Sequence, residues 1–287
     1  MSYKLFIGDY TFSSWSLRGW LMLKRFGIPF DPTLVEFDVD SVANQLSAHK
    51  PARTVPTLVT DTGDVLWDSL AIAEELATRH PEAGLWPADP SLRALARNLA
   101  AEMHCGYGAL RDECPMNLGV SYSSFMPSEA TLADVARIDE VWSFALEKSG
   151  GPWLCGDYSA ADAMFAPIAG RIAGYGLDMS EAAQAYVDRH LSDPAFRQWR
   201  AMGEARNVRL PWYARDFDTK PWPGPAPLEA KIVETGTAEN ANCPYSGRPV
   251  THLFEVQGRT FGVCNGFCQA KTVSDPAAWP QFMALMN

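Results

Sequence analysis

The sequence predicts three parts in order: a mixed α/β segment, an all-helical segment, and a small β-hairpin and helix module. Three observations carry this. Over residues 4–80 the apolar pattern switches between strand-like and helix-like periods, as layered α/β structures require. From about Ser91 to Asn207 only the helical period persists. After a proline- and aromatic-rich stretch, "THLFEVQGRTFGVC" alternates like two strands around a Gln257-Gly258 turn.

Each element has a local reason. "KLFIG" is short and apolar, as a buried strand is. A helix is expected from about Ser14 to Phe26, with Leu17, Trp20, Leu21 and Leu23 on its inner side. "PTLVEFD" alternates like a strand, and "TVPTLVTDTGDVLWDS" reads as two short strands turning at Gly63. "DSLAIAEELATRH" is helical, with Ile72 and Leu76 four residues apart. In the helical segment Leu92, Leu95, Leu99 and Met103 share one face, and Leu132, Val135, Ile138, Trp142 and Ala145 another. Ser159 and Asp162 have capping-box spacing, and "PAFRQWRAM" reads as a last helix. The expected domains are 1–82 (α/β), 90–207 (helical), a linker at 208–240, and 241–287. In the last, "QAKTVSD" reads as a short helix, "PAAWPQFMALM" as a tail, and Phe254, Phe261, Phe267 and Trp279 as a core.

Composition narrows the function. The 287 residues are 47% hydrophobic, enough for a sizeable core, and no run of 18 or more apolar residues reads as a membrane span. A net charge of -10 disfavours nucleic acid and anionic membrane as partners, because both need a cationic surface. The N-terminal residues lack a signal-peptide pattern, so a cytoplasmic location with reduced thiols is expected. Of the six cysteines, Cys105, Cys114 and Cys155 are scattered and read as small buried hydrophobes.

The stretch "TFSSWSLRGW" places Ser13 and Ser14 where a strand hands over to a helix. The first turn of a helix has unpartnered N–H groups and partial positive charge. A serine there either caps the helix or helps to hold an anion such as a thiolate. "TVPTL" sets Pro56 at a strand entry, where it suits an edge or irregular position. "WDSLAIAEEL" sets Asp68 and Ser69 at another helix start, which alone is a cap.

In this order and spacing, these pieces and the later Ser159–Asp162 box resemble the glutathione transferase family over residues 1 to about 207. The resemblance implies a thioredoxin-like α/β domain followed by an all-helical domain, a homodimer, and glutathione as co-substrate. It implies roles as well. The Val55 backbone would pair with the cysteinyl part of glutathione, with Pro56 as cis-proline, and Asp68 and Ser69 would hold the γ-glutamyl end. Ser13 would stabilise the thiolate, with Ser14 as second choice. Arg18 and Arg53 would either add positive potential near the tripeptide carboxylates or serve as plain surface arginines. The sequence also resembles the zeta-like branch, whose first turn reads Ser-Ser-Cys. Here Trp15 replaces the cysteine, which counts against maleylacetoacetate isomerase activity. Trp15 reads as packing at the helical-domain boundary rather than as a substrate platform, and Tyr107, Met116 and Tyr122 as candidate lining of the electrophile cleft.

The remaining cysteines, Cys243, Cys264 and Cys268, lie in "CPYSGRPV" and "FGVCNGFC". Thiolates on a hairpin and the following turn can converge on a zinc ion. This region resembles the small metal-associated YHS or TRASH modules, with Ser246 in place of the second knuckle cysteine. Three readings stand: metal ligands, with His252 as a candidate fourth; a metal-free remnant held by its apolar core; or, third, a free redox thiol. The expected function is a transferase that activates glutathione for attack on a small electrophile; isomerase, peroxidase and dehalogenase variants use the same thiolate. The alternatives are a non-catalytic binding or assembly protein of the same fold, or a metal-handling protein acting through the C-terminal module.

Overall fold

The computed structural model describes residues 2–287. These group into two compact units: residues 2–190 with 210–223, and residues 191–209 with 224–287.

In the first unit, β1 (Tyr3–Ile7) leads through α1 (Ser14–Arg25) to β2 (Phe30–Leu34). A short helix α2 (Val42–Gln45) precedes β3 (Thr57–Val59) and β4 (Val65–Leu66), and α3 (Ser69–Arg79) follows. The sheet order is β2-β1-β3-β4. β1 runs parallel to β2 and antiparallel to β3, and β3 and β4 form a hairpin. This is the expected thioredoxin-like arrangement. β2 begins earlier than its alternation suggests, because it pairs with β1 from Tyr3↔Phe30 to Ile7↔Leu34. Its Pro32 is tolerated because β2 is an edge strand. Phe6, Val35, Leu46 and Ala52 form a core cluster, while Leu5, Ile7 and Leu58 are fully buried elsewhere in the same small sheet. Gly19 of α1 is there for close approach: a Cβ on it would stand 2.9 Å from the Pro56 ring.

The helical part comprises α4 (Pro90–Cys105), α5 (Gly108–Glu113), α6 (Glu129–Ser149), α7 (Ala160–Tyr175) and α8 (Glu181–Ser192), with a short strand β5 (Ser121–Tyr122). All sixteen residues of α7 are buried, and it packs on α1 and α4. Its start is fixed by Asp162, whose carboxylate accepts from the Ser159 N–H and hydroxyl, the Leu154 N–H and the Tyr186 hydroxyl. On α6, Val135, Ile138, Trp142 and Ala145 are buried as expected, but Leu132 is exposed. On α4, Leu99 and Met103 are buried while Leu92 and Leu95 are only partly so. Cys114 and Cys155 are buried, whereas Cys105 is exposed near the end of α4, its thiol donating to the Ala101 carbonyl.

The stretch read as a linker divides between the units. Residues 210–223 pack into the first unit, where Tyr213 stacks on Phe12, Phe217 packs against Tyr122 and Phe125, and β6 (Thr219–Lys220) pairs with β5. Tyr213, Phe217 and Trp222 become half-buried there, while Trp212 stays exposed; this apolar drive is one that sequence periodicity does not display.

In the second unit α9 (Pro194–Arg206) accompanies the hairpin module. β7 (Ala230–Val233), from the end of the supposed linker, adds to β8 (His252–Val256) and β9 (Arg259–Val263) in an antiparallel order β7-β8-β9. Gln257 and Gly258 turn the hairpin, both at positive φ, as a two-residue turn of this hand requires. Then come α10 (Gly266–Ser274) and α11 (Pro280–Met286), the latter inside the expected tail. Phe254, Phe261 and Phe282 form the core with Trp279; Phe267 is exposed instead, because it lies on the open first turn of α10. Arg197 grips Asp275 through two bonds of 2.6 and 2.8 Å, and Gln198 donates to the Ala278 carbonyl.

Candidate active site

A cleft of about 790 Å³ opens in the first unit at the start of α1. It is lined by Ser13, Ser14, Arg53, Val55, Pro56, Asp68 and Ser69, among others. The sequence thus names most of one wall. Arg18 is the exception: it is buried and does not reach the cleft surface.

The two serines differ. Ser13 is buried, and its hydroxyl donates to Ser16 Oγ at 2.7 Å; Ser16 Oγ in turn accepts from the Gly8 N–H at 2.9 Å. This chain ties α1 to the end of β1. Neither serine caps α1 by the usual side-chain bond: Ser13 holds the cap position without one. The Ser14 hydroxyl is half-buried, lines the cleft, and lies 3.4 Å from Arg171 Nη2. Its oxygen accepts from the guanidinium, which leaves its proton available to an anion in the cleft.

The cleft lining also holds two cations that sequence reading missed, Arg111 and Arg171. Arg171 on α7 is buried; it donates from Nε to the Cys114 carbonyl at 2.8 Å and from Nη1 to the Pro167 carbonyl. Burial, then the neighbouring Arg111, pushes its pKa down to about 10, so it stays charged at neutral pH. The Trp15 ring meets two guanidiniums, Arg18 at 4.0 Å and Arg111 at 5.0 Å from its centroid. Arg18 is held far below an ordinary arginine by burial and by the charges of Arg171 and Arg111, with Asp68 opposing. Its Nε and Nη1 have no hydrogen-bond partner among the described residues. Trp15 therefore both packs and gathers positive charge beside the first turn of α1. No single arginine in the sequence signals this, since the three come from α1, α5 and α7.

On the remaining wall the peptide bond Val55–Pro56 is cis, as expected. Asp68 Oδ1 accepts from the N–H groups of Leu70 and Ala71, so Asp68 does cap α3; its Oδ2 is 3.1 Å from His104 Nε2. Ser69 Oγ is buried and has no partner among the described residues. A polar ligand in the cleft would relieve that cost. Arg53 is exposed at the rim. Of the three further candidates for the lining, only Met116 reaches the cleft. Tyr107 donates to Glu102 instead, and Tyr122 packs on Tyr175 and Phe217. Tyr213, from the stretch read as linker, does line it.

With that geometry in hand, residues 12–79 match the family model for the glutathione S-transferase N-terminal domain. The fold is that of the glutathione transferases. A glutathione transferase homologue from Burkholderia, solved with bound glutathione, aligns over 72% of this chain and all of its own at a TM-score of 0.55 and 24% identity. A glutathione transferase from Methylococcus capsulatus aligns over 69% of this chain and 97% of its own, at a TM-score of 0.51 and 25% identity. Among curated proteins, a probable maleylacetoacetate isomerase of Caenorhabditis elegans is 28% identical over 168 residues, 58% of this chain and 77% of that protein. The maleylacetoacetate isomerase of Pseudomonas aeruginosa is 32% identical over 118 residues, 40% of this chain and 55% of that protein. No helix among the described residues is long and apolar enough to cross a membrane.

The second unit brings Cys243, Cys264 and Cys268 together, with their Sγ atoms within 4.8 Å of one another. Cys243 starts a tight turn in which its carbonyl accepts from the Gly247 N–H. Cys264 follows β9, and Cys268 sits in the first turn of α10, where the Asn265 cap accepts its N–H. Burial pushes the Cys243 thiol up. Donors from Tyr245, Ser246 and Cys264 outweigh it, and the result is a thiol lowered to about 7. His252 is not part of the cluster; it is exposed and bonded to Thr251. The donors fit a thiophilic ion such as zinc but supply three ligands, not four.

Proposed function

We propose that this chain is a glutathione-dependent transferase that binds glutathione in the cleft and directs its thiolate at a small electrophile bearing negative charge. The observation that carries this is the Ser14 hydroxyl: it stands at the start of α1 with its oxygen facing Arg171 and its proton free for a thiolate. The first turn of α1 and the guanidiniums of Arg18 and Arg111 beside Trp15 add positive potential, which lowers the pKa of a bound thiol. Val55 beside Pro56 offers backbone groups to the cysteinyl part, and Ser69 with Asp68 would take the γ-glutamyl end. Ser13 then positions α1 through Ser16 rather than touching sulfur.

Chemically, the thiolate forms a C–S bond to the electrophilic carbon. The displaced electron pair leaves with a leaving group, or moves onto a conjugated carbonyl that takes a proton from solvent. An isomerase cycle, which the names of the relatives suggest, adds the thiolate and later expels it, so glutathione is not consumed. Arg111 and Arg171 favour an anionic electrophile in either case. A purely binding or assembly role is not favoured, because the groups a thiolate needs are present. The family resemblance supports a homodimer in the cytoplasm, and sedimentation of the purified protein tests the former.

Calorimetric titration with glutathione and with S-methyl glutathione tests the reading. Sub-millimolar binding of both, tighter for the free thiol, and an ultraviolet thiolate signal lost in Ser14→Ala are expected. Absence of binding by either tripeptide overturns it.

A further inference from the structure

We propose that Tyr213 is a further catalytic residue of the cleft: its hydroxyl donates to the carbonyl oxygen of a conjugated electrophile while the glutathione thiolate adds to the carbon chain. This rests on the transferase reading and adds a residue to it.

Tyr213 lies in "LPWYARDF", beyond α8 and outside residues 12–79 that match the family model. Its place is set from both sides. Leu210 before it is buried, and the Leu210 carbonyl accepts the Tyr213 N–H at 3.0 Å. After it, Phe217 packs on Tyr122 and Phe125, and the Asp218 carbonyl accepts the Ser123 N–H at 2.8 Å. Between these anchors the Tyr213 ring stacks on Phe12, with centroids 4.8 Å apart and planes inclined by 29°. Phe12 immediately precedes Ser13 and Ser14, so the stack seats the phenol beside the start of α1.

The hydroxyls of the lining divide by what they already hold. Ser13 donates to Ser16, and Thr54 to the Trp67 carbonyl. Ser69 is buried beside the Asp68 cap, and Ser14 faces Arg171. Tyr213 is the only tyrosine of the lining among the described residues, and its hydroxyl has no hydrogen-bond partner among them. Burial holds its pKa above the ordinary value; Arg171 pulls it back and Asp9 adds to the rise, so the phenol is a neutral donor at neutral pH. A donor placed where charge develops favours the transition state over the bound substrate.

As the C–S bond forms at the β-carbon, the electron pair of the carbon–carbon double bond shifts to give an enolate. The enolate oxygen takes the Tyr213 proton, and the phenolate near Arg171 recovers one from solvent. Displacement of a halide puts the charge on the leaving ion instead, where no carbonyl oxygen calls for the phenol.

The test uses the full chain with glutathione and two carboxylate-bearing electrophiles: benzylidenepyruvate for addition and 4-(chloromethyl)benzoate for displacement. Tyr213→Phe keeps a ring on Phe12 and removes the hydroxyl. The ratio of kcat/KM for addition to that for displacement should fall at least about tenfold, carried by kcat. If the wild type catalyses addition alone, the same fall is read on its kcat against a retained ultraviolet thiolate signal. A smaller fall, or equal loss of both reactions, overturns the role and leaves Tyr213 as packing on Phe12. Wild-type protein that binds glutathione but does not add it to benzylidenepyruvate also overturns it. Failure of the wild type to bind glutathione overturns the transferase reading beneath it.

Discussion

The cleft in the first unit draws Ser14 from α1, Ser69 from α3, Arg111 from α5, Arg171 from α7 and Tyr213 from the stretch beyond α8. The thiol cluster in the second unit draws its three residues from a single hairpin and its flanks. The first is assembled across the chain and the second within a few dozen residues. Local spacing therefore exposes the cysteines as a set, while of the cleft it exposes only the residues Ser13, Ser14, Val55, Pro56, Asp68 and Ser69. The contrast extends to charge. Among the described residues the cleft arginines have no acidic partner at hydrogen-bond distance, whereas in the second unit the half-buried Arg197 is paired with the buried Asp275.

Breaking that pair is the strongest test of the second unit. Arg197→Ala leaves Asp275 only 8% exposed and without its guanidinium, and should cost about 3–5 kcal/mol in chemical denaturation. If the loss is under about 1 kcal/mol, the pair does not secure α9 to the module. The first unit should respond to acid instead. Burial, with Arg25 and Arg189, holds His190 down at about 3 from its ordinary 6.5. Its folded pKa lies below the unfolded one, so its contribution is intact above about pH 6.5 and is lost as pH falls toward 3. The loss should reach roughly 3 kcal/mol by pH 4. His190→Phe should flatten that part of the stability–pH curve, measured at fixed urea concentrations; an unchanged curve refutes the assignment. Asp162, raised by burial, acts in the opposite sense and is left in place by this substitution.

Within the cleft, Ser14→Ala should reduce kcat/KM about 100-fold, the scale for removing one donor to a developing or stabilised anion. Ser13→Ala should mainly lower Tm, because it unties α1 from β1. Reversed results would return the thiolate to Ser13. The smallest effect concerns the far wall: Arg111→Gln should raise KM about 10-fold for a carboxylate-bearing electrophile and leave a neutral one nearly unchanged. Equal losses for both would assign Arg111 to packing around Trp15.

Much of the site was readable where chemistry is local. The order Ser13-Ser14, Val55-Pro56, Asp68-Ser69 places each group at a strand or helix end, and such ends are marked by proline, by caps and by changes of period. Arg111 and Arg171 were not readable, because an arginine within a helical pattern looks the same whether it meets solvent or a cleft. Tyr213 and β7 were missed for a related reason: their segment has no period, and its order comes from aromatic burial and edge pairing supplied by other parts of the chain.

By itself the sequence determined the succession of α/β, helical and hairpin parts, the starts of α1, α3, α7 and α9 (though not of α10, which begins three residues before the expected Gln269, or of α11), the Gln257-Gly258 turn and the grouping of three cysteines. Those follow from short-range sterics, capping and hydrophobic period, which act within a few residues. Tertiary structure alone decided which serine meets Arg171 and which meets Ser16, that α9 packs with the hairpin module, and that the guanidiniums of Arg18 and Arg111 both lie against Trp15. Those outcomes depend on the packing of elements far apart in sequence, where burial and charge are set by neighbours that no local pattern names.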